Sequence, residues 1–164
     1  MKHMLFNRVN AFLLVAFLAF TQLTISCHKD DNGDNNNTCT ISMKDIAGTY
    51  MVTKAELQPP GSTTYTDITG LPPLSDACMK DNTIVLTETG TATYNDAGVV
   101  CTPSETGNGT WSLNGQQMSL KLDQSPVDLS TATVGSFDCK TLVVTANVDS
   151  PLPGSKVRVT LTKQ

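Results

Sequence analysis

Five cysteines, Cys27, Cys39, Cys78, Cys101 and Cys139, are the side chains of this chain with the widest chemical repertoire. A thiol can be acylated, oxidised to a disulfide or used as a metal ligand, and position separates these fates. Cys27 follows the small Ser26 just behind an apolar run, the setting of a lipoprotein processing site; its thiol is expected to carry acyl chains. Cys39, Cys78, Cys101 and Cys139 then remain as an even set, which in an oxidising compartment implies two disulfides. Four cysteines allow three pairings. Cys78 and Cys101 bracket a central hairpin and are expected to pair, leaving Cys39 with Cys139; each bond is worth about 2–4 kcal/mol. A zinc site is the rival, but structural zinc favours close Cys-x-x-Cys pairs and none of these spacings is close.

Other chemistry is sparse. Of two histidines, only His28 follows the processing site, so a Ser-His-Asp or Cys-His pair has no histidine to use within the domain. Glu56, Asp67, Asp76, Asp81, Glu88 and Glu105 supply carboxylates, yet their spacing singles out no acid–base pair. Asp76 and Asp81, flanking Cys78, read as loop-capping Asx residues. Asp30-Asp31-Asn32-Gly33-Asp34 has calcium-loop character, but the closing Glu and flanking helices of an EF-hand are missing. The reading is a non-enzyme without metal or cofactor.

The address lies in the first 38 residues. Lys2 and Arg8 precede an apolar stretch from Val9 to Phe20, the length of a signal-peptide core and short of the ~20 residues a membrane-spanning helix needs. Ile25-Ser26-Cys27 resembles the end of a bacterial lipobox, with Leu23 one place early. Each buried methylene of an acyl chain on Cys27 contributes about 0.8 kcal/mol to membrane binding, and two or more chains anchor stably. Lys29-Asp30-Asp31 resembles the surface-export signal of lipoproteins in Bacteroides-type bacteria. Residues 27–38, rich in Asp and Asn, cannot bury apolar surface and are expected to be a disordered tether. The expected location is therefore the bacterial outer membrane, lipid-anchored and surface-exposed. Residues 1–26 are the signal peptide and 39–164 the domain.

A formal net charge of −4 argues against nucleic acid, whose phosphates demand Lys/Arg patches. The composition, rich in Thr, Val, Ser, Gly and Asn, reads as all-β. A helical turn is expected within 41–48, with Ser42 as N-cap and Asp45 at the capping-box position. Strands are expected over 48–57, 63–68, 82–87, 90–94, 110–113, 117–122, 133–137, 141–148 and 156–162, with Asn95-Asp96-Ala97-Gly98 turning into Val99–Cys101. Pro59-Pro60 ends the first strand because proline cannot donate to a ladder. Asn114-Gly115 is the strongest hairpin signal, both residues tolerating positive φ. Met118, Leu120 and Leu122 share one face, as do Val157, Val159 and Leu161. About eight or nine short antiparallel strands in sequence favour an up-and-down barrel, which removes exposed edges by closing.

The order Gly48-Thr49-Tyr50, Cys78-Met79-Lys80-Asp81-Asn82, Gly90-Thr91-Ala92-Thr93-Tyr94, Cys101 and Gly109-Thr110-Trp111-Ser112-Leu113 resembles the bacterial lipocalin-like domain of secreted lipoproteins, over roughly Ile41 to Lys163. Tyr50 stands where lipocalins carry Trp in Gly-x-Trp. The resemblance implies a barrel that binds a small apolar ligand. Trp111 and Tyr50, Tyr65, Tyr94, Phe137 and Met118 read either as cavity lining or, more readily, as packed core; Tyr50, Tyr94, Trp111 and Met118 are the ligand-binding candidates. A barrel filled by its own side chains, serving as an accessory subunit of a surface complex, gives the same alternation. A β-sandwich for glycan adhesion is a third reading, although 5% aromatic content is low for stacking platforms.

Overall fold

The computed structural model describes residues 39–123, 129–148 and 152–164. The expected signal peptide, Cys27, Lys29, Asp30, Asp31 and the tether lie outside the described residues.

Nine strands make one antiparallel sheet: β1 (Gly48–Gln58), β2 (Thr66–Asp67), β3 (Thr83–Leu86), β4 (Thr91–Asn95), β5 (Gly107–Asn114), β6 (Gln117–Leu122), β7 (Leu129–Phe137), β8 (Thr141–Val148) and β9 (Ser155–Lys163). Eight of them close into a barrel, because β9 returns to pair with β1 from Tyr50↔Lys163 to Gln58↔Lys156. Closure leaves no row of free N–H and C=O groups at this seam, so the barrel needs no edge protection there. β2 is the extra strand. β3 covers β1 only over Gly48–Met51, and β2 takes the same side of β1 at Glu56 and Leu57. Between them Ile68 N–H donates to Ala55 O, and Ala55 N–H donates to Thr69 Oγ1, both at 2.9 Å. The edge is thus covered where β1 and β3 part. A single continuous sheet replaces the two stacked sheets a sandwich requires.

Among the described residues two four-residue helices accompany the barrel, α1 (Met43–Ile46) and α2 (Ala77–Lys80). Ser42 caps α1 as expected, its Oγ accepting from Asp45 N–H at 3.1 Å. The reciprocal half of the capping box does not form, because the Asp45 carboxylate accepts instead from Thr40, through both N–H and hydroxyl. Helix α2 has no counterpart in the sequence reading, being too short to show a 3.6-residue period.

Strand boundaries depart from expectation where side chains compete for backbone groups. Val99–Cys101 is loop rather than strand: Asp81 Oδ2 accepts from Val99 N–H at 2.8 Å and Asp96 accepts from Cys101 N–H at 3.1 Å, leaving neither donor for a ladder. β2 is two residues long, and β5 and β7 begin earlier than alternation suggested, at Gly107 and Leu129. At Gly107 and Gly109 an added Cβ would lie 2.0 and 1.9 Å from the carbonyl oxygens of Asp123 and Lys121. Only glycine lets β5 coil this tightly onto β6, and its lack of a side chain hid the strand from pattern reading. The Asn114-Gly115 hairpin forms as expected, with Gly115 at φ 59°.

Both disulfides are present. Cys39–Cys139 and Cys78–Cys101 have Cα separations of 5.3 and 5.1 Å. With all four sulfurs bonded in pairs, the zinc alternative has no thiolates to use.

Candidate ligand site in the barrel

Strand direction sorts the connections into two ends. The lower end holds α1, where the chain enters, and the β3–β4, β5–β6 and β7–β8 turns. The upper end holds the long β1–β3 connection with β2 and α2, the β4–β5 connection, and residues 152–154 ahead of β9. Alternation turns Tyr50, Val52, Ala55 and Leu57 of β1 inward, and in β9 Ser155, Val157, Val159 and Leu161. The apolar interior is continuous, from Ile46 and Leu86 through Leu120 and Val144 to Leu122 and Leu129.

The lower end is a sealed floor. Ile46 of α1 is fully buried, and so is Tyr50, whose hydroxyl donates to Ile46 O. Burial pushes the Tyr50 phenol up to about 12, so it stays a neutral donor. Trp111 Nε1 donates to Thr87 O at 2.8 Å, tying β5 to the β3–β4 turn. Gly90, at φ 88°, completes that turn, where an added Cβ would stand 3.0 Å from Trp111 O. Lys163 Nζ donates to Asp45 O at 3.0 Å and lies about 6 Å from the Tyr50 and Phe137 rings, a cation–π arrangement. Cys39–Cys139 fastens the entering chain to the β7–β8 turn, where Cys139 is held at φ 75°.

The upper end is built differently. Leu57, Val148 and Val157 lie on the inward face by strand alternation and are partly exposed. Side chains there are often small: Ala55 on β1, Ala146 on β8, and Gly107 opposite Tyr94 on β4. Polar groups enter as well. Asn82 Nδ2 donates to Tyr94 hydroxyl at 2.8 Å, and Asn82 Oδ1 accepts from Ala97 N–H at 3.1 Å. Ser155, fully buried at the start of β9, has no partner for its hydroxyl among the described residues. Four large apolar side chains are exposed among the described residues, Leu71, Val99, Val100 and Leu152, and every one lies in an upper connection.

Of the four ligand-binding candidates, Tyr50 and Trp111 sit at the floor with their polar atoms engaged, and Met118 is buried beside the lower β5–β6 hairpin. Only Tyr94 stands at the upper end, next to last in β4. Sequence reasoning missed Asn82 and Ser155. Ser155 was within reach: one more step back in the alternation of Val157, Val159 and Leu161 puts it on the inward face.

The carboxylates serve local structure. Glu56, on the outer wall, takes Arg158 Nε at 2.7 Å and Lys54 Nζ at 2.9 Å, and these partners hold its carboxyl down at about 2. The Arg158 guanidinium also stacks 4.0 Å over the Tyr65 ring. Asp67 accepts from Thr69 N–H at 2.8 Å, an Asx turn. Burial alone would raise the Asp96 carboxyl, but the N–H groups of Cys101 and Glu105 outweigh it and hold it below its usual range. Asp76 stands at the N-cap of α2 but makes no side-chain cap hydrogen bond, so the capping role expected of it is not seen.

With this architecture in view, the family match is decisive: residues 46–144 match the model of the lipocalin-like domain. The chain belongs to the lipocalin-like domain family. The matched stretch runs from the end of α1 into β8, and the lipocalin-like barrel is completed by β9, which lies beyond it. No curated protein matches the chain.

Proposed function

We propose that this protein is a non-catalytic, lipid-anchored envelope protein whose lipocalin-like barrel binds a small apolar molecule through its upper end. The observation that carries the reading is the asymmetry of the barrel: apolar wall throughout, Ile46 and Tyr50 fully buried at the α1 end, and inward-facing Leu57, Val148 and Val157 only partly buried at the other. Apolar pockets with a few placed polar groups are the common form of small-molecule sites. Anchoring rests on Ser26-Cys27, and export to the outer-membrane surface on Lys29-Asp30-Asp31. Native mass spectrometry of the protein purified gently from its host tests the binding. A reproducible small adduct that is lost on unfolding is the expected result; a bare protein mass across preparations contradicts it. Intact mass of the membrane-extracted protein tests the anchor, an acylated chain starting at Cys27 being expected.

One observation favours a second reading. Leu120, Leu142, Val144 and Leu161 are fully buried, as in a barrel filled by its own side chains, and Val99 and Val100 are more than half exposed. A filled barrel presenting that apolar loop to a protein partner is the accessory-subunit alternative, and a bare mass would favour it.

A further inference from the structure

The chemistry of the ligand can be read from two features of the upper end: a hydroxyl hydrogen with nothing to receive it, and the sign of the charge around it. Tyr94 is 3% exposed and faces inward, opposite side-chain-free Gly107. Its neighbour Asn82 is fixed in orientation by its other end, because the backbone N–H of Ala97 can only donate and must meet Asn82 Oδ1. Asn82 therefore presents Nδ2 to Tyr94, and the Tyr94 oxygen is the acceptor at 2.8 Å. The phenolic hydrogen is left without an acceptor among the described residues. Burial raises the Tyr94 phenol, and the charges of Glu105 and Asp96 act in the same direction, so that hydrogen stays in place at neutral pH. Buried donors are nearly always paired, and one that is not invites an explanation. Ser155 Oγ, fully buried on the same inward face at the β9 end, is a second hydroxyl without a partner among the described residues.

Charge narrows the ligand further. No inward-facing side chain of the described upper half is cationic: Lys54 and Arg158 belong to the outer wall with Glu56, and Lys163 lies at the floor. The charges that act on Tyr94 are the carboxylates of Glu105 and Asp96. A ligand carboxylate placed there would be desolvated, unpaired and repelled.

Building on the interior-binding reading above, we infer that the site takes an uncharged amphiphile whose hydroxyl, carbonyl or ether oxygen accepts the Tyr94 hydrogen, and that it discriminates against carboxylates of the same chain length. The test uses the full chain with the neutral fluorophore N-phenyl-1-naphthylamine, displaced by dodecan-1-ol or by dodecanoate at pH 8. Dodecan-1-ol is expected to compete at concentrations at least about tenfold lower. Tyr94→Phe should cut that advantage about fivefold by weakening the alcohol alone, the loss of one hydrogen bond. Glu105→Gln should strengthen dodecanoate and leave dodecan-1-ol unchanged, and it keeps the inference testable if Tyr94→Phe fails to fold. Equal competition by the two probes, or a preference for dodecanoate, overturns the inference while leaving interior binding intact. An alcohol advantage that survives Tyr94→Phe does the same. Absence of fluorophore binding overturns the interior-binding reading itself, and this inference with it.

Discussion

At the floor of the barrel, Tyr50, Trp111 and Lys163 each direct a polar atom onto a backbone carbonyl. At the upper end, Asp81 Oδ1, Glu105 Oε2 and Ser155 Oγ are buried with no partner among the described residues, and the Tyr94 hydrogen likewise has no acceptor there. The two ends face the same problem, closing an apolar tube with a chain that carries polar groups. The floor solves it by pairing every such side chain named here, which favours rigidity. The upper end leaves polar groups unmatched and apolar side chains in water, both of which cost stability. Proteins depart from full polar satisfaction mainly where function requires it. The interior-binding proposal draws on this difference, with stability at one end and recognition at the other.

Substitutions can break or sharpen that contrast. The largest effect belongs to the floor: Trp111→Ala should destabilise by about 4 kcal/mol, removing a buried ring and its bond to Thr87, whereas Leu57→Ala at the upper rim should cost about 1 kcal/mol. Urea denaturation measures both, and similar losses would erase the distinction. Next come the disulfides. Cys39–Cys139 spans 100 residues and Cys78–Cys101 spans 23, so chain entropy assigns them about 4.7 and about 3.4 kcal/mol. Replacing each pair by serines should make the floor variant the less stable of the two.

The seam between β1 and β9 gives a pH signature. Glu56 titrates at about 2 in the folded protein, well below an ordinary Glu, because Arg158 and Lys54 bond its carboxylate. A depressed folded value means stability that is complete above the unfolded Glu pKa of about 4.3 and lost as pH falls towards 2. Glu56→Gln should flatten the acid limb of stability in that window and lower the plateau above pH 6 without changing its slope. The smallest effects have opposite signs. Tyr50→Phe should cost about 1 kcal/mol by freeing Ile46 O inside the floor, and Ser155→Ala should be neutral or slightly stabilising, because no bond is lost.

The fold was largely legible because its signals are local. Asn114-Gly115, Pro59-Pro60 and the alternation of Met118, Leu120 and Leu122 each state a turn, a stop or a buried face within a few residues. Cysteine spacing around the central hairpin likewise pointed to Cys78–Cys101. The site was much less legible. Tyr50, Trp111 and Tyr94 are equivalent as aromatic residues in strands, and only the three-dimensional partners show that two are engaged at the floor while the third keeps a free hydrogen. Asn82 and Ser155 carry no distinguishing neighbours in the chain, since their roles arise from contacts with Ala97 and from burial at the start of β9. Val99–Cys101 misled because Asp81, 18 residues upstream, competes for the Val99 N–H. Such competition is invisible to pattern.

Methyl-resolved NMR during titration with dodecan-1-ol tests the division of labour most directly. The account predicts shifts concentrated on Ala55, Leu57, Leu122, Leu129, Ala146 and Val157, with Ile46, Leu86, Leu142 and Leu161 unmoved. Shifts centred on the floor residues, or confined to Val99 and Val100 outside the barrel, would contradict it.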